Sequence, residues 1–82
     1  MNKKHSISYE PFYYGNRLKA YIKIITNNED NTRMYIAQLF THNKELVKQK
    51  EFFNFNADYK EQNELYNKCH DYVMNYLNTC KY

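Results

Sequence analysis

Glycine and proline occur once each and tryptophan not at all in these 82 residues. A single glycine rules out the Gly-rich loops that cradle phosphates, because such loops need several backbone amides brought close without a Cβ in the way. Serine is nearly as scarce. Ser6 and Ser8 are the only two, and neither sits in the glycine-flanked elbow that exposes a nucleophile. No stretch approaches the ~20 consecutive apolar residues of a membrane span, and no apolar run follows the basic start MNKKH. The expectation is a cytoplasmic, non-enzymatic protein without a membrane partner.

Cysteine appears twice, at positions 69 and 80. If both lie on one helix, eleven residues at about 1.5 Å rise separate them by ~16 Å, beyond the ~7 Å reach of a disulfide. Both read as small buried hydrophobes in a reducing compartment, with an intermolecular bridge through Cys80 as the alternative. Neither Cys69 nor His70 has a His, Cys, Asp or Glu three or four residues away on the same helix face, and His5 and His42 are isolated, so no metal site and no cofactor is expected.

What is abundant is aromatic: ten Tyr and five Phe, within a hydrophobic content of 43%. That is enough apolar surface to fold, and a chain of this length builds one core, so residues 1–82 are read as a single domain. Twelve Lys and Arg against nine Asp and Glu leave +3, well short of a dedicated nucleic-acid arm. The richness in Asn, Lys, Tyr and Ile is the mark of AT-rich coding sequence, as in low-GC bacteria and their phages.

The lone glycine stands in Gly15-Asn16, between two runs of aromatic and β-branched residues. Gly followed by Asn is a two-residue hairpin signal, since glycine supplies the positive φ that a type II′ turn needs at its first central position. Strands are expected over about 5–14 and 17–26, with Tyr14 facing Arg17, Tyr13 facing Leu18 and Ile7 facing Ile24. Period-2 alternation then gathers Ile7, Tyr9, Pro11 and Tyr13 with Leu18, Ala20, Ile22 and Ile24 on a core face. Pro11 cannot donate to a ladder, which puts the first strand at a sheet edge.

After the polar segment Asn27–Asn31, residues 32–41 resume strand character with Met34, Ile36 and Phe40 inward and Gln38 the misfit. His42 to Glu45 reads as a turn. Residues 46–55 fit a fourth strand, with Val47, Phe53 and Phe55 inward, or a short helix. From about 58 to 79 the period changes: Asp58 with Glu61 forms a capping pattern, and Leu65, Cys69, Tyr72, Val73, Tyr76 and Cys80 form one stripe that Tyr66 and Leu77 widen. The pattern predicts an α+β fold, an antiparallel meander of three or four strands with one C-terminal amphipathic helix across one face.

By these registers the outer sheet face carries Phe12, Tyr14, Arg17, Lys19, Tyr21, Lys23, Arg33, Tyr35, Lys48 and Lys50, together with Phe52. Glu10 is its only carboxylate, while residues 57–82 hold three Lys against four acidic residues. Such a face suits an acidic protein partner, because Tyr and Arg are enriched at interface hot spots. It also suits nucleic acid, with cations on phosphates and rings stacked on bases. The plainer reading is a solvated strand face whose lysines discourage edge pairing, with Tyr14 and Arg17 packing as a cation–π pair. The functional expectation is an interaction protein that regulates or inhibits a larger acidic partner, a nucleic-acid enzyme or defence protein in a phage or mobile-element setting. Direct nucleic-acid binding is the alternative, and the strand edge and aromatic face leave a homodimer open.

Overall fold

The computed structural model describes residues 4–41, 43, 45–54 and 58–79. Four strands, β1 (His5–Tyr14), β2 (Arg17–Asn27), β3 (Arg33–Phe40) and β4 (Leu46–Phe52), precede one helix, α1 (Tyr59–Thr79). The sheet is an antiparallel meander in the order β1-β2-β3-β4, with the helix packed on one side, mainly along β3. Residues 46–52 are therefore strand rather than helix. His42, Phe55 and Cys80 lie outside the described residues.

The turn at Gly15-Asn16 forms as expected. Gly15 has φ +64°, Asn16 does not share a positive φ, and Tyr14 pairs with Arg17 and Tyr13 with Leu18. Beyond that point the expected register fails. Phe12 pairs with Ala20, so Lys19 is an extra residue in β2 and a β-bulge shifts everything further out by one position. The bulge turns β1 over: Ser8, Glu10 and Phe12, not Ile7, Tyr9 and Pro11, share a face with Ile24, Ile22 and Ala20.

The same one-residue displacement recurs on the other side of β2. Ile24 pairs with Tyr35 and Ile22 with Ala37, where Met34 and Ile36 were expected. In turn Tyr35 pairs with Phe52, Ala37 with Lys50 and Leu39 with Lys48, and a second irregularity leaves Val47 unpaired between Leu46 and Lys48. Thus β2 faces as expected from Ala20 onward, while β1, β3 and β4 are reversed.

The helix settles which face is which. Its residues Cys69, Val73 and Leu77 are buried against Ala20, Ile22, Tyr35, Ala37 and Leu39, with Phe12, Ile24, Phe52, Leu65, Tyr66, Tyr72 and Tyr76 around the margin. Two alanines at the middle of the sheet meet a helix stripe of Cys and Val, so small side chains on both layers let the backbones approach closely. Asp58 caps α1: its Oδ1 accepts from the Glu61 N–H at 2.9 Å. Asn54 Nδ2 donates to Glu61 Oε2 at 3.3 Å, tying the chain after β4 to the first helical turn. Near the other end, the Tyr76 hydroxyl donates to the Phe40 carbonyl at 2.6 Å, at the point where the β3–β4 ladder is interrupted.

Candidate functional site: the open face of the sheet

One helix covers one side of a four-stranded sheet, and among the described residues no element covers the other side. The ladders define its rows. Ile7, Ile25 and Met34 form one row. Tyr9, Lys23, Ile36 and Glu51 form the next, and Pro11, Tyr21, Gln38 and Gln49 the third. Tyr13, Phe40, Val47 and Phe53 lie at the ends of these alternations. Ile7 is 56% exposed, Tyr9 54%, Tyr13 59%, Val47 55% and Phe53 41%. Singly exposed apolar side chains are ordinary, but a contiguous set on one surface marks an interaction site.

The face is ordered by its own contacts. Tyr21 packs edge-on against Tyr9 at 5.5 Å and against Phe40 at 5.6 Å between ring centroids. Lys23 Nζ lies 5.9 Å from the Tyr9 ring centroid, within the range of a cation–π contact. Gln38 Nε2 donates to Gln49 Oε1 at 3.1 Å across β3 and β4. Tyr9, Tyr21, Gln38 and Phe40 line a shallow depression of about 370 Å³.

The ten residues singled out from sequence do not share this surface. Tyr21 and Lys23 are on it. Lys19 is the bulge residue and only 5% exposed, so it cannot serve as a surface cation. Tyr14 and Arg17 flank the hairpin turn. Tyr35 is 3% exposed in the core, and Phe12 is on the helix side, edge-on to His70 at 5.5 Å. Lys48 and Lys50 also lie on the helix side, with Nζ atoms 5.8 and 5.3 Å from the Tyr72 ring centroid. Arg33 opens β3 and lines a hollow with Asp58 and Tyr59. The six cations expected on one face are therefore dispersed, and the open face carries Lys23 against Glu51.

Sequence reasoning assigned Ile7, Tyr9, Tyr13, Val47 and Phe53 to the core instead of this surface. The available signal was a mismatch of supply: apolar residues occupy both alternations of β1 and β3, yet the chain offers a single helix to cover them.

Two titratable groups beneath the helix, Cys69 and Tyr66, are held neutral. Burial pushes the Cys69 thiol up from 9.0 to about 12, with the Glu10 carboxylate adding to the shift. Tyr66 rises from 10.0 to about 12, first through burial and then because its hydroxyl donates to Glu10 Oε1 at 2.6 Å. A thiol in that state is inert as a nucleophile. Among the described residues no three His, Cys, Asp or Glu side chains converge on a point that could hold a metal ion, and no helix is long and apolar enough to cross a membrane. Comparison with protein-family models, curated proteins and solved structures finds no match.

Proposed function

We propose that this chain is a non-enzymatic interaction protein whose recognition surface is the open face of its sheet, and that it acts by binding and regulating or inhibiting a larger protein. One observation carries the reading. Ile7, Tyr9, Tyr13, Val47 and Phe53, each at least 41% exposed, stand on the side of the sheet that the helix leaves bare. Tyrosine and phenylalanine bury large areas at low entropic cost, and aromatic rings are enriched at the centres of protein interfaces.

The partner surface that fits is apolar rather than acidic, because the open face balances Lys23 with Glu51. For the same reason protein is favoured over nucleic acid. A phosphate-binding sheet needs its cations on one side, and here Lys48 and Lys50 lie opposite Lys23 while Lys19 is enclosed. The lack of glycine-rich or nucleophile motifs and the AT-rich residue usage support a regulator from a phage or mobile element.

Photo-crosslinking residues placed at Ile7 and Val47, with one at Lys68 on the exposed helix side as a control, test this in the organism that encodes the chain. Conjugates to a second protein are expected from the two sheet positions and not from Lys68. Equal conjugation from Lys68, or none from either strand, overturns the assignment.

A further inference from the structure

We propose that, in the absence of its larger partner, the open face is covered by a second copy of this chain, the two sheets stacking about a two-fold axis that runs along β3. The inference rests on the reading of that face as a protein-binding surface, and it adds the identity of an occupant. One row of the sheet is charged at both flanks. Lys23 pairs with Ile36 and Ile36 pairs with Glu51, so a cation and a carboxylate stand one strand to either side of a residue that is itself only 6% exposed.

Rotation by a half-turn about an axis parallel to β3, between the stacked sheets, exchanges the positions above β2 and β4 while keeping each row in place. Lys23 then stands over Glu51 of the partner subunit, and Glu51 stands over Lys23 of the partner subunit. Ile36 meets its own counterpart on the axis. Stacked sheets rotate by about 30° relative to each other, but charges only ~4.8 Å from the axis are displaced by just ~2.5 Å, well within the reach of a lysine. The face is thus self-complementary in charge, which an isologous contact requires. An axis along β2, along β4, or across the strands through this row would instead set Lys23 or Glu51 on its own counterpart.

The overlap fits a transient pair. A half-turn about β3 carries β1 past β4, so β2, β3 and β4 of the two sheets overlap, and three strands about 4.8 Å apart with the eight residues of β3 at about 3.4 Å each give roughly 400 Å² in plan. Two such faces bury about 800 Å², the small end of the interface range, with Met34 stacked on its own counterpart at the usual ~10 Å between sheets. An interface of this size associates weakly and reversibly, so a larger partner can displace the second copy by mass action.

Sedimentation of the purified full-length chain over a wide concentration range reads the association directly. The wild-type chain is expected to pass from monomer to dimer as concentration rises. Lys23→Glu sets two carboxylates against each other at both symmetry-related contacts and is expected to weaken the dimer at least about tenfold, as is Glu51→Lys. The double variant Lys23→Glu/Glu51→Lys restores opposite charges and is expected to recover the wild-type dissociation constant. Lys23 is half-buried and Glu51 exposed, so the variants keep the core intact, which thermal melting verifies. A wild-type chain that stays monomeric throughout overturns the proposal. So does a dimer insensitive to Lys23→Glu, or one that the double variant fails to rescue. If the chain is monomeric yet Ile7 and Val47 crosslink to a different protein, the second copy is ruled out and the interaction face stands.

Discussion

Replacing Ile22 and Ile7 separately with alanine tests the sheet's facing directly. The two isoleucines lie on adjacent strands, and the sequence pattern places both on the core face. The structure separates them: Ile22 is 0% exposed beneath the helix, and Ile7 is 56% exposed on the open side. Truncating a fully buried isoleucine removes its transfer free energy and leaves a cavity, at a cost of about 2–5 kcal/mol. The cost is large beside the roughly 4–12 kcal/mol expected for a domain of this length. At about 4–8 °C per kcal/mol, Ile22→Ala should lower Tm by roughly 8–40 °C. Ile7→Ala removes a side chain that is already more than half in water. Complete burial of such a side chain is worth about 1.5–3 kcal/mol, so its loss should cost at most about 1 kcal/mol. Urea unfolding followed by circular dichroism, at a concentration where sedimentation shows a monomer, reads both. A penalty for Ile7→Ala as large as that for Ile22→Ala would refute the reversed facing of β1, and the open recognition face with it.

Three further outcomes follow from local geometry. Gly15→Ala meets no steric obstacle, since nothing lies within 4 Å of an added Cβ, but φ +64° is strained for any L side chain, so a loss of about 1–2 kcal/mol is expected in urea unfolding. Asp58→Ala deprives the Glu61 N–H of its acceptor and should cost about 1 kcal/mol, with Asp58→Asn retaining most of the stability. Cys69 and Tyr66 are both raised to about 12 in the folded chain, from 9.0 and 10.0. Groups raised in this way contribute stability that is complete below their unfolded values and is lost as pH climbs through the folded ones. Unfolding free energy should therefore be level up to about pH 9 and fall between 9 and 12. Cys69→Ala should flatten the first part of that fall, and an equally steep decline in the variant would show that the thiol plays no part.

The facing error and the functional surface have one origin. In β3, Met34, Ile36 and Phe40 alternate with Tyr35, Ala37 and Leu39, and either set satisfies a period-2 criterion for burial. In β1, Ile7, Tyr9 and Tyr13 outweigh Ser8, Glu10 and Phe12 in apolar character, yet the second set is on the helix side of the sheet. Glu10 is accommodated there because the Tyr66 hydroxyl donates to it, a contact between residues 56 positions apart that no local pattern encodes. Lys19, the residue that turns β1 over, looks in sequence like any other outward lysine.

Local chemistry in the sequence was sufficient for β1, β2, β3 and α1 and their order, while residues 46–55 fitted a strand or a short helix until the ladder with β3 made 46–52 the strand β4. The positive φ of Gly15, the cap at Asp58, the change of period from two to 3.6 and the stripe from Leu65 to Leu77 are all decided by residues within a few positions of one another. Which side of the sheet meets the helix was decided only in three dimensions. Two nearly equivalent apolar faces compete for one helix, and the outcome turns on a single inserted residue in β2 and on the close fit of Ala20 and Ala37 beneath Cys69 and Val73. The face left uncovered by that choice is the surface on which this protein's function is proposed to rest.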